Sequence, residues 1–288
     1  MSKKINIATI LPYKENYTFS KAQAAAIWVN DFFKYSIFKK NNFIFGSTDT
    51  KDYLSKNYIN IKIKDKKSKF SSTTVEYCNS FINSTKSKKF SIIEIHNRPL
   101  VFTYLQKKIH SKFILYFHND PLSMRGSKSI SERLYLLNKV DKIIFVSKWV
   151  QKRFFEGVDY KLINKTEVVY PSIHRQSHLL KKEKKIVFVG KLNPSKGYDI
   201  YRDAIIKILD EFTDWKAYSI GDERRNKPTI NHKNHIELGY LSHKEVLNFL
   251  RKTEIAVVPS RWEEPFGRTA LEASSRGCAT IISNRGGL

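Results

Sequence analysis

Residues 186–212 read IVFVGKLNPSKGYDIYRDAIIKILDEF. The run Ile186 to Val189 predicts a strand, and Gly190 ends it. Beyond the turn, Tyr201, Ala204, Ile205, Ile208, Leu209 and Phe212 recur on one face at the 3.6-residue period of an amphipathic helix. The same strand-then-helix rhythm runs through the chain. Before this stretch, strands are predicted at Asn6–Leu11, Phe43–Gly46, Ile92–His96, Phe113–His118, Lys142–Ser147 and Glu167–Tyr170. Helical patterns lie between them at Ala22–Phe33, Val75–Ser84, Leu100–Lys108, Ile130–Asn138 and Lys148–Phe155. After it, strands are predicted at Lys216–Ile220, His235–Leu238, Ile255–Pro259 and Ala279–Ser283, and Ser242 with Glu245 forms a capping box before a further helix. Alternation of this kind predicts an α/β fold with mostly parallel sheets covered on both faces. The polar stretch at 174–184 interrupts the rhythm and predicts a linker, which divides the chain into a first domain, 1–173, and a second, 185–288.

Composition narrows the classes. With 288 residues, 41% hydrophobic and 13% aromatic, the chain can bury a core and is long enough for two domains. Two cysteines, Cys78 and Cys278, exclude a disulfide scaffold and a multi-cysteine zinc site, and fit a reducing compartment. The opening MSKKINIATILPYKE has too short an apolar run for a signal-peptide core, and no stretch approaches a spanning helix. The formal net charge is +25, and residues 1–184 supply most of it, with 35 Lys and Arg against 14 Asp and Glu. Lysines gather at Ile61–Lys69, at Lys86, Lys88 and Lys89, and at Lys107, Lys108 and Lys112. Such a balance reads either as a solvated face or as a surface for an anionic partner such as an anionic membrane.

Two clusters carry the chemistry of the second half. Gly190-Lys191-Leu192-Asn193-Pro194-Ser195-Lys196-Gly197 follows a strand, at the edge where open α/β sheets bind ligands. Its glycines are expected to leave the backbone uncrowded, and its two lysines can reach a diphosphate; an ordinary solvated loop reads the same way. Residues 259–273, PSRWEEPFGRTALEA, run from a strand end through a polar loop into a helix opening near Gly267. A helix start offers N–H groups and partial positive charge to an anion. Glu264 precedes this helix and Glu272 lies inside it, so one carboxylate can meet a sugar and the other a ribose; alternatively one favours the helix dipole and the other is a solvated surface residue. Asp49-Thr50-Lys51-Asp52 reads as a solvated loop, and no metal site is expected.

The pair Glu264 and Glu272 with seven residues between them, together with Gly190-Lys191 and Lys196-Gly197, resembles glycosyltransferase family 4, retaining nucleotide-sugar enzymes of the GT-B fold. Ser283-Asn284-Arg285-Gly286-Gly287, Ile143–Ser147 and Val168–Pro171 continue the similarity. The resemblance implies two Rossmann-like domains facing across a cleft. The second is expected to be incomplete, because the chain stops at a glycine turn where a further helix would begin. By the same resemblance Gly190, Lys191, Lys196, Phe266 and Gly267 hold the donor diphosphate, Glu264 contacts the donor sugar, and Glu272 bonds the ribose. His118, in Tyr116-Phe117-His118-Asn119-Asp120-Pro121, resembles the family's active-site histidine; Glu94 and His96, at a strand end facing the same edge, are expected to line a site for the acceptor. Gly239-Tyr240-Leu241 is expected at the nucleobase. Two departures stand out: Lys191 replaces the usual Arg, a point charge in place of a fork, and the loop Pro12–Ser20 lacks the usual glycines, as in members that build bacterial surface polysaccharides.

The expected function is therefore retaining, metal-independent and cofactor-free glycosyl transfer from a nucleotide-diphosphate sugar to a glycan or lipid-linked acceptor. The setting is lipopolysaccharide or other surface polysaccharide synthesis, with the protein cytoplasmic or peripheral on the inner face of the cytoplasmic membrane and no specific nucleic acid as partner. Rivals are another GT-B activity, such as a sugar-nucleotide epimerase or a phosphorylase, and a non-catalytic basic membrane- or nucleic-acid-binding protein on a degenerate transferase scaffold.

Overall fold

A computed structural model describes residues 5–63, 72–174, 180–223 and 228–288. The chain divides into two compact units, Met1–Tyr170 and Pro171–Leu288. Part of the lysine run at 61–69 and part of the stretch at 174–184 lie outside the described residues.

Unit 1 holds seven strands, β1 (Ile7–Ile10), β2 (Asn42–Gly46), β3 (Tyr58–Asn60), β4 (Ile92–His96), β5 (Lys112–Phe117), β6 (Lys142–Phe145) and β7 (Thr166–Val168). Their order is β3-β2-β1-β4-β5-β6-β7 and every neighbouring pair is parallel. Helices α1 (Ala24–Tyr35), α2 (Thr73–Ser84), α3 (Pro99–Leu105), α4 (Ile130–Lys139) and α5 (Lys148–Phe154) make the crossovers. Because helices cover both faces, β1 is buried at all four positions, which is why it reads as an unbroken apolar run with one threonine. Trp28, Val29 and Phe33 of α1 pack with Leu11, Tyr17 and Ile44 in one core cluster.

Unit 2 holds β8 (Glu183–Val189), β9 (Lys216–Ile220), β10 (His235–Gly239), β11 (Thr253–Val258) and β12 (Ala279–Ile282), ordered β10-β9-β8-β11-β12 and again wholly parallel. Helices α6 (Tyr198–Glu211), α7 (His243–Leu250) and α8 (Arg268–Ser275) connect them. Alternation along β8 sorts its side chains: Ile186 and Phe188 join Tyr201, Ile205 and Leu209 of α6, whereas Val187 joins Val246, Leu250 and Ala273 of α7 and α8. Cys78 and Cys278 are both buried free thiols, and burial pushes Cys78 up to about 12.

Each sheet with its crossover helices is a Rossmann-like unit, as the resemblance implied. Differences from the expected elements have local causes. β8 begins at Glu183, inside the stretch read as linker, because Glu183 N donates to Lys252 O at 2.8 Å and draws the charged segment into the sheet. α1 begins two residues later than expected, where the Glu15 carboxylate accepts from Ala26 N at 3.2 Å. β3, three residues long, was not expected at all.

Candidate functional site

The strand order of unit 2 reverses between β8 and β11, and ligands of open α/β sheets bind outside the carboxyl ends of the strands at such a point. Both expected clusters lie there. β8 passes through Gly190 and exposed Lys191 into a short 3-10 turn at Pro194–Lys196, and Asn193 caps that turn by accepting from Lys196 N. The Ser195 carbonyl accepts from Arg261 N at 3.1 Å and Trp262 N at 2.9 Å, so the loops after β8 and β11 are fastened together. This brings the Lys196 ammonium into an ion pair with Glu264 Oε1. Buried Ser260 places its hydroxyl 3.0 Å from the same oxygen. The turn Ser283–Gly287 seats Glu264 from the other side: Gly287 N donates to Glu264 O at 2.6 Å, and Arg285 reaches Glu263 at 3.2 Å.

Gly197 is the opposite of uncrowded. Its φ is +74°, and a Cβ there would stand 1.8 Å from the Pro259 carbonyl oxygen, so its missing side chain admits protein backbone and not a ligand. Gly190 ends β8 with its N–H on Ile220 O at 2.9 Å. Gly267 caps α8 at φ +84°, with the Leu288 side chain against the space its Cβ would take; Phe266 immediately precedes it. Five residues on, Glu272 is 6% exposed, which rules out a solvated surface role. Its Oε1 accepts from Arg268 Nε at 2.7 Å and lies 2.9 Å from His243 Nε2. Burial pushes this carboxyl up, but the His243 hydrogen bond and the Arg268 charge outweigh it and hold it below the usual range. Gly239 ends β10, and Tyr240 and Leu241 follow it at the same edge of the sheet; Tyr240 is exposed.

Unit 1 has its switch between β1 and β4. His96 ends β4 and His118 follows β5, and their rings meet with Nδ1 of His96 2.8 Å from Nε2 of His118. Either ring nitrogen can be the donor of this contact, depending on the tautomer. Burial and the neighbouring His118 hold His96 well below the usual imidazole range. Between the two, Asn97 adopts φ +53° and its Oδ1 accepts from His118 N at 2.7 Å and Asn119 N at 3.2 Å, which fixes the backbone that presents His118. Trp28 of α1 packs on both imidazoles, and Tyr116 stacks on His96 at 4.4 Å.

Glu94 lies two residues before His96, hence on the same face of β4. Its carboxylate is 2.6 Å from the Thr9 hydroxyl and 3.2 Å from Tyr116 OH, and burial pushes it up. The Thr9 hydroxyl also lies 3.0 Å from Asn42 Oδ1. Thr9 has one proton for two acceptors, and a protonated Glu94 would supply the second, in keeping with the upward shift. Asp52 holds the first loop: its carboxylate accepts from Ser20 N at 2.8 Å and is pulled down to about 2 by the Thr50 and Ser20 hydrogen bonds.

Several residues of these constellations were not singled out in the sequence. Arg268 was within reach, since it stands four residues before Glu272 on one helix. Asn97 carried a weak signal as a residue that tolerates the left-handed region. Ser260, His243, Trp28 and Tyr116 carried none, because their contacts cross between elements.

Residues 170–288 match the family of group 1 glycosyl transferases. Among curated proteins, the uncharacterized glycosyltransferase MJ1178 of Methanocaldococcus jannaschii is 32% identical over 218 residues, covering 72% of this chain and 59% of that protein. The chain spans less than two thirds of the length of the first curated relatives it matches. Among solved structures, Anabaena HepE in complex with UDP-glucose superposes with a TM-score of 0.74 at 14% identity, covering 98% of this chain and 81% of HepE. The lipopolysaccharide outer core galactosyltransferase WaaB superposes at 0.64 with 15% identity, covering 98% and 81%. At these identities the structural likeness carries the GT-B fold, and the matched stretch holds Lys191, Lys196, Glu264 and Glu272 around the switch point of its sheet.

Proposed function

We propose that this protein is a retaining glycosyltransferase that moves a sugar from a nucleoside diphosphate to a hydroxyl acceptor in the synthesis of lipopolysaccharide or another surface polysaccharide. The observation that carries the reading is the Lys196–Glu264 pair, fastened by Ser260 and Ser195 at the unit 2 switch point immediately before the start of α8. An ammonium has three donors. Lys196 can therefore keep Glu264 and still donate to a diphosphate, with Lys191 as the second cation and the N–H groups around Phe266 and Gly267 completing the cradle. Charge grows on the departing diphosphate in the transition state, and fixed cations beside a helix start stabilise it there.

Glu264 is the carboxylate for the donor sugar and Glu272 the one for the ribose. His118, held by Asn97 and His96, orients the sugar, and Glu94 and His96 belong to the acceptor side. In the same-face route to retention that this reading takes, the bond from the anomeric carbon to the phosphate oxygen breaks while the acceptor oxygen bonds to the face it leaves. The acceptor proton passes to the departing phosphate oxygen, so no protein nucleophile, metal or other cofactor enters. UDP and UDP-glucose bound in HepE, and the lipopolysaccharide substrate named for WaaB, support a uridine donor and a cell-surface glycan acceptor. The basic first unit supports an acceptor at an anionic membrane, with the protein cytoplasmic and peripheral.

Calorimetric titration of UDP, GDP and ADP tests the donor half. UDP is expected to bind, and Lys196→Ala to weaken it at least about tenfold, or about 1.4 kcal/mol. Equal affinity in the variant, with its fold intact by circular dichroism, would remove the diphosphate from this loop.

A further inference from the structure

All strands of the first sheet are parallel, so the loops that enter them share one edge and the loops that leave them share the other. The histidines lie at the leaving edge. At the entering edge, loops 36–41, 85–91 and 106–111, which lead into β2, β4 and β5, contain two, three and two lysines and no acidic residue. All seven of these lysines are exposed. The loops are joined to their neighbours: Asn57 Nδ2 donates to Lys39 O at 2.9 Å, Asn6 Nδ2 to Lys89 O at 3.3 Å, and Ser111 Oγ to Phe90 O at 2.8 Å. Lys88 lies over the Phe43 ring at the start of β2. Four acids flank the later strands at this edge, and each is engaged: Asp141 accepts from Phe113 N, Glu156 pairs with Arg153, Glu167 with Lys142, and Asp159 with Lys161.

Large apolar side chains stand among these cations. Ile37 is 91% exposed and Tyr35 is 74% exposed, with Phe38 beside them and Lys34, Lys39 and Lys40 in the same turn. An isoleucine so placed gains nothing from water or from a phosphate chain, but it gains from entering the apolar margin of a bilayer while lysines stay at the headgroups.

We propose that this entering edge of the first sheet docks on an anionic bilayer, with Ile37 and Tyr35 inserted and the lysines of loops 36–41, 85–91 and 106–111 against the headgroups. The inference rests on the reading of a membrane-held acceptor and makes it specific. The docking surface is the edge opposite His96 and His118, five residues of β4 away at about 3.3 Å each. Charge attraction brings the protein to the surface and falls with salt, whereas insertion sets how firmly it stays.

The full chain would be floated with vesicles of equal parts phosphatidylglycerol and phosphatidylcholine, and with vesicles of phosphatidylcholine alone. Partition into the anionic vesicles is expected, with little into the neutral ones. The double change Lys88→Glu, Lys89→Glu and the double change Ile37→Ser, Tyr35→Ser should each lower it about tenfold, with circular dichroism unchanged. Three outcomes would overturn the proposal: no partition into anionic vesicles, equal partition into neutral ones, or loss through the lysine variant alone with heparin competing as well as vesicles do, which would make the surface a polyanion site. UDP affinity, measured on the same variants, is expected to stay at the wild-type value. A protein that docks but binds no nucleotide would refute the donor site and leave the docking surface standing.

Discussion

Glu272 shows how one side chain joins stability to the proposed chemistry. Its buried Oε1 meets a guanidinium and an imidazole, and removing its charge leaves Arg268 buried without its counter-ion. Glu272→Gln is expected to cost about 3 kcal/mol, the range for breaking a buried pair. The pH dependence has a definite sign. The folded protein holds this carboxyl below its ordinary range, so its stabilisation is complete above the unfolded-state value and is lost as pH falls through the folded one. Urea unfolding of wild type and variant should thus differ at neutral pH and converge in acid; a gap that persists unchanged in acid would mean that the charge is not what stabilises. The sequence offered Glu272 by its spacing from Glu264, yet the spacing could not tell a ribose ligand from a surface residue. Its burial is decided by α8 lying against α7, which brings His243 within reach.

At the scale of elements, strands buried on both faces were the most legible, because a parallel sheet under two helix layers writes itself as a short apolar run; Ile92–His96 and Lys216–Ile220 have the expected boundaries. The capping box at Ser242 and Glu245 was equally plain, since both partners lie within one turn. Less legible was whatever depends on a distant partner. The start of α1 is set by Glu15, eleven residues away from Ala26, and the glycine of the Pro194–Gly197 turn is needed for a neighbouring strand end. That last point is testable. In Gly197→Ala the new Cβ meets the Pro259 carbonyl in a left-handed backbone that favours glycine, and a loss of about 2–3 kcal/mol is expected on unfolding. The same change should displace Lys196, whose ion pair depends on the contact between the two loops, so nucleotide affinity should fall with stability. Loss of stability with unaltered affinity would separate the loop from the site.

For the whole molecule, the rhythm of strands and helices was enough to state two Rossmann-like sheets, but strand order was not readable from it. Order is what puts each candidate site at a switch point: β1 beside β4 in one sheet and β8 beside β11 in the other. It is also what collects the lysines from Lys39 to Lys108, seventy positions of sequence, onto one edge. A ligand that binds the native state alone stabilises it by RT ln(1 + [L]/Kd), so UDP at about 100 times its Kd adds about 2.7 kcal/mol. The proposed seat predicts where this is felt. Amides of β8 and β11 that exchange only through unfolding of unit 2 should slow about a hundredfold, and those around Gly190 and Arg268 should report the ligand directly. Protection centred on the ends of β1 and β4 in place of β8 and β11 would move the nucleotide to unit 1 and exchange the donor and acceptor halves of the proposal.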